Sequence, residues 1–227
     1  DGGLPLSCHA MLSFGEKARR GLSSPSGRAA RLGDAWTAAL GIQGALTCRA
    51  GRIARGPEDL PAEVRGFYPR FSGNYFDVTA RWYSSVKVGA AAGEVFAAVD
   101  GARDPALFDF FVNPGHLLSL EEWLHSPFSV GNPTRLKSGM AIQMDIIPVS
   151  KGPWCTQNAE DGVALADAAL RGELRTRHPA CWGRMQARRT FMRETLGIVL
   201  DESVLPLGNT TGWLAPYALS PALAYAV

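Results

Sequence analysis

A marked excess of charge of either sign is missing from this sequence. The 23 lysines and arginines are balanced by 21 acidic residues, for a formal net charge of +2. That balance excludes the dense basic footprint of a nucleic-acid binder, and Arg19, Arg20, Arg28 and Arg31 read as solvated surface. Long apolar runs are missing too: none approaches the roughly 20 residues that span a bilayer, so no membrane partner is expected. Cysteine is sparse, and Cys8, Cys48, Cys155 and Cys181 form no CxxC pair, which argues against a zinc knot or a disulfide framework. Free thiols in a cytoplasmic protein are the expectation. The chain opens at Asp1 without a methionine or a charged-then-apolar leader, and is expected to be a fragment of a longer one.

What is present is an ordinary globular composition, 46% hydrophobic and 19% charged over 227 residues, enough for one sizeable domain. Residues 4–14 read as a strand, followed by a polar Gly/Ser/Pro-rich connection to a turn at Gly33-Asp34. WTAALGIQGALTCRAGRI reads as a hairpin, and GPEDLPAEVRG as a loop. Apolar residues at helical spacing predict a helix over about 71–88, stopped by Gly89, and a second over about 91–102. Residues 106–120 and 138–149 have strand character. NAEDGVALAD is a further strand or turn, and two more helices run through DAALRGELRTR and PACWGRMQARRTFMRETLG. Residues 205–227 form an irregular tail expected on the surface. Strands and helices in mixed order, without βαβ alternation, indicate an α+β fold with a largely antiparallel sheet.

Four histidines is few, yet two of them share the stretch PGHLLSLEEWLHSP, His116 and His125. Elsewhere Asp145 interrupts the apolar run MAIQMDIIP, and Glu160 and Asp161 precede GVALA. An unpaired carboxylate in such a run costs several kcal/mol to bury, so it signals a partner: a metal, a histidine or an arginine. Imidazole nitrogens with carboxylate oxygens suit a divalent ion or proton shuttling. The bland alternative remains open on these residues alone. In it His116 caps a turn, His125 packs under Trp123, and Asp145 pairs with an arginine.

Taken in order, LGDAWTAALGIQGALTCRAG, SSVKVGAAAGEVFAAV, NPGHLLSLEEWLHSP, and LKSGMAIQMDIIP with NAEDGVALAD resemble the catalytic domain of the pita-bread family (aminopeptidase P, prolidase, methionine aminopeptidase and creatinase) over about residues 4–170. The resemblance implies a curved antiparallel sheet backed by helices, here lacking its first helices. It implies a hydrolase that cleaves a C–N bond of a small peptide or amino-acid-like substrate. Carried over position by position, His116, Asp145 and Glu160 would be catalytic and metal-binding. His125 would also be catalytic, contacting substrate and shuttling a proton or stabilising the oxyanion, at a separation two residues longer than the family pattern, and Arg49 would orient a substrate carboxylate.

The departures are specific. The family's two metal-binding aspartates fall near Ala39 and Leu46, and residues 35–49 contain no acid at all. Hydrocarbon cannot ligate a cation, so one divalent ion (Mn, Co or Zn) or none is expected rather than two. The creatinase pattern fails as well, with Ser23 or Ser24 and Cys48 at its key places unless His9 is the displaced histidine. A fold-keeping binder without catalysis is the alternative, and Cys48 as a nucleophile paired with His116 a third reading. The missing helices imply an uncovered apolar sheet face, and so a homodimer or association with an absent N-terminal segment.

Overall fold

The computed structural model describes residues 5–6, 9–21, 23–42, 45–118 and 125–227. Strands β1 (Met11–Phe14), β2 (Ala35–Ile42) and β3 (Ala45–Arg52) form an antiparallel meander. After a short helix α1 (Ala62–Arg65) come two long ones, α2 (Tyr68–Ser85) and α3 (Ala92–Ala102). Then follow β4 (Phe108–Phe110), β5 (His116–Leu117), β6 (Ala141–Met144), β7 (Pro148–Ser150) and β8 (Asn158–Leu165). Helices α4 (Ala168–Arg177) and α5 (Pro179–Thr190) precede β9 (Val204–Pro206). The main sheet runs β1-β2-β3-β8-β6-β5, with β9 also on β8, and every pairing is antiparallel. Strands β4 and β7 pair separately.

Helix α2 holds the two faces of the molecule together. Its buried residues Tyr68, Phe71, Tyr75, Phe76, Val78, Trp82 and Tyr83 recur at three- and four-residue steps, so one stripe meets the sheet. Burying each such ring contributes about 2–3 kcal/mol. The polar tips of the stripe matter as much. Tyr75 Oη donates to the Ile146 carbonyl at 3.0 Å and accepts from the Ala159 amide at 3.1 Å. Trp82 Nε1 donates to the Pro114 carbonyl at 2.8 Å, and Tyr68 Oη donates to Gln157 Oε1 at 2.7 Å. A helix behind the sheet thereby fixes the residues beside Asp145, Glu160 and His116 on its other side.

The helical layer covers only half of the sheet. Ala159, Val163, Leu165, Ile142 and Met144 from β8 and β6 enter the main core, whereas among the described residues none of β1, β2 or β3 does. On β1 and β2, Leu12, Leu40 and Ile42 are exposed.

Three sequence expectations need correction. The loop GPEDLPAEVRG contains the helical turn α1. The strand expected over 138–149 stops at Met144, and Asp145 lies just past its end. The tail does not lie on the surface throughout. Leu205, Thr211 and Leu214 are buried, and Tyr225 stacks on Phe76 with centroids 5.7 Å apart. Aperiodic apolar residues carry no pattern to read, yet they can still cap a helix.

Candidate metal and acid–base site

Sheet register brings the site residues together. Ala39 pairs with Cys48 and Cys48 with Glu160; in the next row Gly41 pairs with Leu46, and Gly162 with Gln143, which pairs with His116. Directly paired residues share a face and alternate residues return to it. Glu160, Gln143 and His116 therefore stand together on the face away from the helices, with Asp145 two residues beyond Gln143.

The turn before His116 is set by Gly115. Its φ is +106°, and a Cβ there would meet the Gln143 carbonyl at 2.6 Å and Trp82 Nε1 at 3.0 Å. Only glycine fits both the conformation and the space. His116 then places Nε2 3.5 Å from Glu160 Oε1 and 3.9 Å from Asp145 Oδ2. One potential ligand atom from each of His116, Asp145 and Glu160 lies within 4.8 Å of the others, and all three residues are buried.

Two atoms of the cluster are orphans. His116 Nε2 and Asp145 Oδ1 are buried without a hydrogen-bond partner. His116 Nδ1 lies 2.9 Å from the Leu117 carbonyl, so in the neutral ring the proton sits on Nδ1 and the Nε2 lone pair faces the acids. That is the arrangement of a ligating histidine with its second nitrogen tied back. Gln143 Nε2 donates to Glu160 Oε1 at 3.3 Å, and Asn158 Oδ1 accepts from the Glu160 amide at 2.8 Å.

Proton affinities in the cluster are displaced. Burial, and then the charge of Glu160, push Asp145 up to about 8, against the pull of His116 and Asn158. His116 is held above its ordinary value. Burial opposes its charge, but the nearby Glu160 and Asp145 carboxylates and the bond from Nδ1 to the Leu117 carbonyl outweigh that. Asp145 and the His116 imidazole, in a buried recess, hold on to protons that a cation would displace. The donor set, with its two orphan atoms, fits one divalent ion. It does not fit two, because the side chains where the family resemblance expects the other anionic ligands are Ala39 and Leu46.

The remaining expected site residues are placed elsewhere. Arg49 lies on the other face, where its guanidinium contacts Asp161 Oδ2 at 2.6 Å and Thr210 Oγ1 at 2.9 Å. The structure thus brings Arg49 to a buried acid rather than to the cleft. His125 is exposed, joined to the site strand through its carbonyl, which accepts from the Leu117 amide at 2.8 Å. It does not belong to the three-residue cluster. Trp123, its suggested packing partner, lies outside the described residues. The neighbours of Asp145 are His116, Glu160 and Asn158, not an arginine. Burial, Glu160 and Asp145 push the Cys48 thiol well up, which disfavours the thiolate a nucleophile needs. His9 is exposed ahead of β1.

Gln143 and Asn158 were missed as supports. Each sits two residues before a site acid, so strand alternation alone would have placed both on the site face.

A curved antiparallel sheet, helices on one face and an acid–imidazole cluster on the other, is the pita-bread fold. It is shared with solved structures of a dipeptidase from Pyrococcus horikoshii (19% identity, TM-score 0.54, covering 70% of this chain and 44% of that one). It is shared also with a Xaa-Pro dipeptidase from Bacillus anthracis (17%, 0.53, 73% and 45%) and a prolidase from Thermococcus sibiricus (24%, 0.51, 71% and 43%). The chain spans less than half the length of each of these proteins. At these identities the likeness establishes the fold. No family model matches the sequence, and no curated protein does.

Proposed function

We propose that this chain carries the catalytic cleft of a hydrolase that cleaves a C–N bond in a short peptide or amino-acid-like molecule, with a single divalent ion at most. The observation that carries this reading is the convergence of His116, Asp145 and Glu160 within 4.8 Å, buried, with two of their polar atoms unsatisfied. The relatives in fold that bear peptidase names add support.

His116 Nε2, Asp145 and Glu160 would hold the ion. Such an ion supplies positive charge that acidifies water and polarises an amide carbonyl. The protein's own contribution is positional. Gln143 and Asn158 fix Glu160, Leu117 fixes the imidazole tautomer, and Asp145 can take and return a proton near neutral pH. His125, exposed and joined to Leu117 through its carbonyl, would serve as a second proton carrier or oxyanion donor. Arg49, engaged with Asp161, is assigned to holding β3 on β8 rather than to substrate.

The second reading, a binder that has lost catalysis, is favoured by one observation: Ala39 faces Cys48 in the row that leads to Glu160, and neither Ala39 nor Leu46 can ligate. Assay of Xaa-Pro dipeptides with Mn, Co and Zn separates the two. Cleavage that disappears in His116→Ala supports the hydrolase. No cleavage with any ion leaves the binder.

Among the described residues no helix is long and apolar enough to cross a membrane. A cytoplasmic location, and a homodimer or companion segment covering the exposed edge of the sheet at Leu12, are part of the same proposal. Sedimentation as a monomer without other chains would remove the homodimer.

A further inference from the structure

Strand β3 leaves β8 just beyond the site. The two pair from Ala50↔Asn158 to Cys48↔Glu160 and then part, while β6 stays on β8. At the parting lies a cavity of about 550 Å³. Its hydrocarbon wall is Leu6, Leu40, Ile42, Leu46, Leu118 and Leu207. Leu46 is one of the two positions where a metal-binding acid was expected. The loss of that acid therefore has a positive counterpart, since the space beside the cluster is mostly, though not wholly, aliphatic.

The cavity also has a polar wall. Thr47, Asp161 and Gln143 line it; Gln143 is fully buried and leaves Oε1 without a partner. The amide orientation is fixed, because Nε2 donates to both the Leu46 carbonyl at 2.8 Å and Glu160 Oε1 at 3.3 Å, which are acceptors only. Oε1 therefore points elsewhere, beside Gly162. A Cβ on Gly162 would lie 3.0 Å from it, 3.0 Å from Leu118 Cδ2 and 3.5 Å from Leu207 Cδ1. A buried acceptor without a donor is costly, and a ligand N–H would satisfy it.

We propose that this cavity binds a branched aliphatic group that carries an N–H donor, as in a short peptide or amide with a leucine-like residue, the N–H donating to Gln143 Oε1. That this group belongs to the substrate of the neighbouring cluster rests on the hydrolase reading above. The binding itself does not, and it can be measured with chelator present.

Leucinamide and glycinamide are the probes, titrated calorimetrically into the chain in EDTA. Burying a leucine side chain favours leucinamide about thirty-fold; a tenfold preference is the least that supports the proposal. The preference is lost in Leu46→Asp, which puts charge in the wall, and in Leu207→Trp, which fills the space, each checked for folding by circular dichroism. In the wild-type chain leucinamide shifts the amide resonances of Leu46, Leu118, Gln143 and Leu207, so the result does not depend on either variant folding. Equal affinity for both probes, a preference that survives both variants, or shifts confined to other residues would overturn it. Peptide cleavage without aliphatic preference would sink this proposal and spare the hydrolase. A leucinamide preference in a chain inactive with every ion would do the reverse.

Discussion

Asp145→Asn makes the most searching perturbation of the cluster, because it removes a charge that the metal-free fold holds at a cost. An ordinary aspartate titrates near 4, whereas burial and Glu160 push Asp145 up to about 8. The folded state thus binds the proton more tightly than the unfolded state, and stability falls as pH rises from about 4 through about 8. His116, also raised, acts in the same direction: its contribution is complete below about 6.5 and is lost as the imidazolium deprotonates at higher pH. At about 1.4 kcal/mol per tenfold change in proton affinity, Asp145 alone sets a ceiling of about 6 kcal/mol. The imidazole within 3.9 Å offsets part of it, leaving about 2 kcal/mol between pH 5 and pH 8. For a chain of this size that is about 4–8 °C in Tm. Thermal unfolding in chelator should show the wild type melting lower at pH 8 than at pH 5, and Asp145→Asn recovering most of the difference at pH 8. A wild-type Tm equal at both pH values, or an Asn variant less stable than wild type at pH 8, would refute the reasoning.

The same displaced proton makes divalent-ion affinity pH-dependent. Affinity should weaken as pH drops below about 8, by up to about tenfold per unit, with about one proton released on binding. Titration in two buffers of different ionisation enthalpy reads that proton, and pH-independent affinity would contradict it. Arg49→Ala leaves Asp161 buried and unpaired and should cost about 3 kcal/mol in urea unfolding. A loss of activity without a loss of stability would return Arg49 to the substrate. Gly93→Ala puts a Cβ 2.5 Å from the Asn132 backbone nitrogen, which cannot swing away, and should cost about 2–3 kcal/mol. An unchanged urea midpoint would refute that contact.

Much of the fold could be read from the sequence, because local rules governed it. The stripe from Phe71 to Val86 announced α2, although its start at Tyr68 lay three residues earlier than expected. The hairpin over β2 and β3 followed from two apolar runs, and the Gly33-Asp34 turn holds Gly33 at φ +85°. The acids interrupting apolar runs marked Asp145 and Glu160. What could not be read was long-range. Nothing local says that Arg49 would find Asp161, 112 positions away, or that Tyr225 would close over Phe76. The resemblance pointed to His116, which lies in the acid–imidazole cluster, and to Arg49, whose guanidinium lies against Asp161. Strand alternation puts Arg49 on the face opposite Cys48, but that Cys48 shares the Glu160 face emerges only once β3 is paired with β8.

Metal content tests the central claim most directly. Purified chain loaded with Mn, Co or Zn, desalted and read by native mass spectrometry, should carry about one ion per chain, with the His116→Ala variant carrying none. Two ions per chain, or an ion retained without His116, would contradict the site described for this cleft.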